Sequence, residues 1–104
     1  MSTKFKTVVT TLNDKNTELK SSLKTVEGKK EEALVSGEIC GYKLAIKEIE
    51  ETEDEAAIVL KALEKKVAAL KEGLKTVKVE YDVHFINATI QGLELVVNEM
   101  KQLK

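Results

Sequence analysis

Residues 39–84 read ICGYKLAIKEIEETEDEAAIVLKALEKKVAALKEGLKTVKVEYDVH, and the spacing of their apolar members decides the fold class. Ile39, Tyr42, Ile46, Ile49, Glu53, Ala56, Leu60, Leu63, Val67, Leu70, Leu74, Val77, Tyr81 and His84 hold one heptad frame, interrupted only at Glu53 and His84. A frame kept that long predicts an amphipathic helix, over about 38–77. The flanking positions are dense in Lys, Glu and Ala, which favour helix. Ala45, Ala57 and Val59 widen the stripe, which suits a helix bundle better than a bare two-stranded coil. At 1.5 Å per residue this helix would run on the order of 55–60 Å.

A competing reading divides it. Thr52-Glu53-Asp54-Glu55 is a capping-box pattern directly before Ala56-Ala57-Ile58-Val59-Leu60. A break near Glu51 would make four helices in all. The heptad frame passes this point unshifted and no glycine or proline marks a turn, so one continuous helix is preferred.

Working outward, Phe5, Val9, Leu12, Asn16, Leu19, Leu23, Val26, Lys30 and Ala33 alternate spacings of four and three. They predict a helix over about 3–34, weakest at the β-branched Thr7-Val8-Val9-Thr10-Thr11. Ser36-Gly37-Glu38 reads as the turn that follows it. Val79, Val83, Ile86, Ile90, Leu93, Val97 and Met100 form a third stripe in a new frame, predicting a helix over about 83–103. At the frame change, residues 77–85 alternate apolar and polar, the pattern of a strand, with the Phe5–Thr11 stretch as its only local partner. Gly41-Tyr42-Lys43-Leu44-Ala45-Ile46-Lys47-Glu48-Ile49 resembles Gly92-Leu93-Glu94-Leu95-Val96-Val97-Asn98-Glu99-Met100 in pattern. A glycine opening each segment would let two helices approach closely. The expected fold is all-α and a single domain over 1–104: an elongated helical hairpin, coiled-coil-like, with a third helix folding back.

Composition bounds the function. A chain of 104 residues can bury roughly 60–70% of its unfolded surface, enough for a modest core. With 42% hydrophobic and 34% charged residues it is too apolar for a disordered tail and too charged for a membrane span. The single Cys40 and the start without an apolar leader fit a reducing, cytoplasmic setting. Asn87-Ala88-Thr89 then matches a glycosylation sequon by chance. The chain has 17 basic residues, all lysine, against 18 acids. Without arginine, and with 4% aromatics, nucleic-acid recognition is disfavoured, although residues 1–30 carry a net charge of +4.

Catalytic and metal chemistry find little footing. Cys40 and His84 are the sole thiol and imidazole, and no signature brings them together. One Cys and one His cannot complete a tetrahedral zinc site. Glu48, Glu50, Glu51, Glu53, Asp54 and Glu55 radiate around a helix and lack the turn glycine of a calcium loop. No catalytic residue, metal site, cofactor or small-molecule substrate is therefore expected. Asn16 and Glu53 are polar intruders that read either as exposed positions or as buried groups fixing register. Tyr81, Phe85 and Ile86 read as core.

The function expected is that of a non-enzymatic protein-interaction module: a small oligomeric regulator, inhibitor or assembly factor. Its own copies, as an antiparallel dimer, and another protein are the expected partners. Self-association is assigned to Ile46, Ile49, Leu60, Leu63, Val67, Leu70 and Leu74, and partner binding to Glu48, Glu50, Glu51, Asp54 and Glu55. A purely structural self-associating coiled coil is the alternative, and a nucleic-acid accessory protein using the Lys-rich N-terminal helix is a second.

Overall fold

Residues 24–28 and 75–79 form short connections between helices. The computed structural model describes residues 3–52 and 56–102, with side chains from Lys6 to Glu51 and from Ala57 to Gln102. Four helices follow in order: α1 (Thr3–Leu23), α2 (Lys29–Thr52), α3 (Ala56–Leu74) and α4 (Glu80–Gln102).

The helix expected over 3–34 is two helices. α1 closes at Leu23 in a tightened turn, with the amides of Lys24 and Thr25 donating to Ser21 O and Ser22 O. The Thr25 hydroxyl caps Ser22 O at 3.0 Å. Gly28 then opens α2, its carbonyl accepting from the Glu32 amide at 2.9 Å. Glu31 and Glu32 lie in that first turn, where the helix dipole favours acids. No turn occurs at Ser36-Gly37-Glu38, which lies inside α2.

The long helix over 38–77 is also divided: α2 ends at Thr52 and α3 begins at Ala56. The break near Glu51 is thus the arrangement found, while Glu53, Asp54 and Glu55 lie outside the described residues. Principal extents of 39 × 31 × 21 Å have no room for a 55–60 Å helix, so the fold is a short bundle and not an elongated hairpin. The heptad frame survives because its two parts are buried against the same core from different directions. No strand occurs among the described residues. Residues 77–79 are irregular and α4 starts at Glu80, three residues before the expected 83. The stretch expected to pair with a strand is itself helical, in α1.

The four helices are two copies of one hairpin. α1 and α3 end, and α2 and α4 begin, at a constant offset of 51 residues. The same capping recurs: Thr76 Oγ1 donates to Gly73 O at 3.0 Å, as Thr25 does to Ser22 O. Val79 O accepts from the Val83 amide as Gly28 O does from Glu32. Leu19-Lys20 and Leu23-Lys24-Thr25-Val26 reappear at that offset as Leu70-Lys71 and Leu74-Lys75-Thr76-Val77. Val8 matches Val59, Leu12 matches Leu63 and Gly41 matches Gly92, and each of these residues is buried.

The two hairpins join along α2 and α4. A Cβ on Gly41 would lie 2.6 Å from Thr89 O and 3.3 Å from Gly92 Cα, and one on Gly37 would lie 2.2 Å from Phe85 O. The helices therefore run parallel, with Gly41 against its own counterpart, about an approximate two-fold axis between them. Ala33, Gly37, Gly41 and Ala45, buried at four-residue spacing, form the shallow ridge that permits this approach. The Thr89 hydroxyl sits in the contact, 3.0 Å from Gly37 O and 2.9 Å from Phe85 O. Around it one core gathers side chains from all four helices, with Leu12, Ile49, Val59, Leu63, Leu93, Val96 and Met100 almost wholly buried.

Candidate interaction surface

The stripe assigned to self-association is occupied within a single chain. Ile49, Leu60, Leu63 and Val67 are buried in the core, and Ile46, Leu70 and Leu74 pack against it. Of the acids assigned to partner binding, Glu50 and Glu51 are exposed and Glu48 is half-buried, while Asp54 and Glu55 lie outside the described residues. Helical spacing sets Glu48 on the other side of α2 from Glu50, so the three described carboxylates form no single face.

Asn16 is buried, 5% exposed, and its Oδ1 has no hydrogen-bond partner. Its counterpart at the 51-residue offset is Val67, equally buried, so the fold does not require an amide there. A buried unsatisfied acceptor costs about 1–3 kcal/mol. Asn16→Val is expected to raise stability by about 1–2 kcal/mol in urea unfolding; an unchanged or lower midpoint would show that the amide is satisfied in solution.

Beside it lies a polar cluster bridging three helices. Tyr42 Oη donates to Glu38 Oε1 at 3.4 Å, and Lys15 Nζ stands 5.7 Å from the Tyr42 ring centre and 3.5 Å from Glu99 Oε1. Burial first, then the charge of Glu38 and its hydrogen bond, then the charge of Glu99, push the Tyr42 phenol up to about 12. Unfolded, it would titrate near 10. The folded chain holds that proton longer, so this stabilisation is complete below about pH 10 and is lost as pH rises towards 12. Tyr42→Phe is expected to flatten the fall in stability over that interval, read from urea unfolding at stepped alkaline pH. An unaltered slope would mean Tyr42 plays no part in it.

Cys40, partly buried, borders a groove on α2, and His84 Nε2 lies 3.5 Å from Glu80 Oε1 without a hydrogen bond. No group of three or more His, Cys, Asp or Glu residues placed to hold a metal occurs among the described residues. No described helix is long and apolar enough to cross a membrane.

Two open grooves stand out. One, about 360 Å³, runs between α3 and α4 over Val67, Ala68 and Val97, with Glu64 and Lys101 at its rim and Lys71 Nζ 3.5 Å from Glu94 Oε2. The other, about 350 Å³, follows the outer face of α2 over Ile39, Cys40 and Leu44, with Lys43 and Lys47 beside it. No family model, curated protein or solved structure matches the chain.

The internal repeat supplies the comparison instead. Where Lys71 meets Glu94 in the second hairpin, the first has Lys20 and Lys43, and where the second has Asn98 the first has Lys47. Neither Lys43 nor Lys47 forms an ion pair among the described residues. Sequence reading passed over this face because exposed lysines flanking an apolar stripe are the ordinary solvated side of a helix. Its period of 3.6 through Lys29, Ser36, Cys40, Lys43 and Lys47 was the available signal.

Proposed function

We propose that the chain is a non-enzymatic protein-interaction module, a small regulator, inhibitor or assembly factor that works by occupying another protein's surface. The α3–α4 groove carries this reading. Its floor is Val67, Ala68 and Val97, drawn from both helices, and its rim carries Glu64, Lys71, Glu94, Asn98 and Lys101. A small-molecule site would enclose most of its ligand. A groove between helices with mixed charge at the rim instead suits apolar anchors from a partner helix, with flanking charges setting register. The exposed Glu50 and Glu51 would add steering towards a basic partner surface.

The test is capture from the native host with the whole chain as bait, comparing wild type with Ala68→Arg. Ala68 is exposed, so the variant folds while its side chain fills the groove. A protein retained by wild type and released by Ala68→Arg supports the reading. If folded wild type retains none, or retains the same set as the variant, the groove is not a docking site.

A further inference from the structure

We propose that two copies of the chain pair through the outer face of α2, antiparallel, about a two-fold axis at Cys40. The proposal deepens the interaction-module reading by naming a second copy as one partner and a face distinct from the α3–α4 groove.

The face is the α2 stripe through Lys29, Glu32, Ser36, Cys40, Lys43 and Lys47, closed at its far end by Glu50 and Glu51. Its centre is the groove of about 350 Å³ over Ile39, Cys40 and Leu44. Lys29, Lys43, Lys47, Glu50 and Glu51 have no ion pair among the described residues, and Glu32 receives only the Tyr81 hydroxyl at 3.4 Å.

The order of the charges selects the occupant. Three lysines and three glutamates sum to zero along this face, so it offers no net field to a uniformly acidic protein, a nucleic acid or an anionic membrane. Reversal of the stripe about Cys40, however, sets each end against its complement. Lys47 falls opposite the second copy's Glu32 and Lys29 opposite its Glu51, while Ser36 meets Lys43 and Leu44. The apolar centres then cover one another. A parallel pair in register would set Lys43, Lys47 and Glu51 against themselves, and like charges directly opposed disfavour it. The same face of α4 lacks this pattern: Glu94 is engaged by Lys71, and Asn98 is neutral.

A contact along one helix of roughly 36 Å is small, so the dimer is expected to be weak and to loosen with salt. Sedimentation equilibrium of the full chain at low salt, up to high micromolar concentration, should show monomer and dimer in exchange. Lys47→Glu should weaken association roughly tenfold, and adding Glu32→Lys should recover most of it. Both residues are exposed, so circular dichroism should be unchanged. A zero-length carbodiimide cross-link between Lys47 and Glu32 fixes the orientation. The two lie about 22 Å apart along one helix, so only two copies can form it. An 11.6 kDa species throughout, a double variant no better than Lys47→Glu, or absence of that cross-link would each overturn the proposal. Capture of a partner that survives Lys47→Glu would leave the broader reading standing; loss of capture with the dimer intact would do the reverse.

Discussion

Gly37→Ala is expected to destabilise the chain by roughly 2–3 kcal/mol, although alanine is the better helix former. Alanine in an unobstructed helix interior gains about 1 kcal/mol over glycine. At Gly37 that gain is overwhelmed, because the new Cβ would stand 2.2 Å from Phe85 O and 2.7 Å from Ala88 Cβ. The first is backbone and cannot rotate away, so α4 must move as a body. Movement there strains the Gly41–Gly92 contact, where a Cβ on Gly41 would already lie 2.6 Å from Thr89 O. It also pulls the Thr89 hydroxyl from Gly37 O. Gly73 is the control: it is exposed within α3 and nothing stands within 4 Å of its added Cβ. Gly73→Ala should therefore raise stability by up to about 1 kcal/mol. Urea unfolding of both variants decides the matter. Equal shifts in the same direction would mean that α2 and α4 do not meet at these glycines.

That contact also marks how far the sequence could be read. Glycines at 41 and 92 opening similar segments signalled close approach, and the structure brings those two residues together. Apolar periodicity identified helix correctly across most of the chain, since burial on one face of a helix imposes a 3.6-residue recurrence whatever the tertiary arrangement. Chain reversals left no such mark. Lys30 and Ala33 continue the stripe of α1 in phase across residues 24–28, and Ala56 and Leu60 continue that of α2 past Thr52. A frame records which residues are apolar, and not whether the axis carrying them has turned back. Gly28, which opens α2, marks the break, whereas Gly37, read as the turn, lies inside α2 where its absent side chain serves packing. The alternation over 77–85 was real as a pattern, yet a strand needs an edge to pair with, and α1 offers none. For the proposed interaction face the obstacle was different. Aligning the two similar segments already sets Lys43 beside Glu94 and Lys47 beside Asn98, but only the structure shows Glu94 paired with Lys71 and the two lysines without an ion pair among the described residues.

The repeat makes the next expected result a comparison between its halves. Leu63→Ala should destabilise the fold by roughly 2–5 kcal/mol, the loss of transfer free energy plus the cavity left behind. Leu63 is fully buried, and Val59, Leu60 and Val67 of the same helix are buried with it, so α3 is held along its length. Leu12 is the counterpart and only 1% exposed, which gives Leu12→Ala a cavity of the same kind. Its helix is held differently. In α1 the buried companions are Val8 and Asn16, with Val9 and Leu19 partly buried, so fewer apolar side chains anchor it. Losing Leu12 should therefore free α1 before the remaining helices, whereas losing Leu63 should loosen the bundle as a unit. Amide hydrogen exchange separates these outcomes. In Leu12→Ala the α1 amides should exchange markedly faster while those of α2 and α4 keep most of their protection. In Leu63→Ala, protection should fall in all four helices together. If both variants lost protection uniformly, the two hairpins would contribute equally to cooperativity. If neither altered the melt, the core would lie elsewhere than around these two leucines.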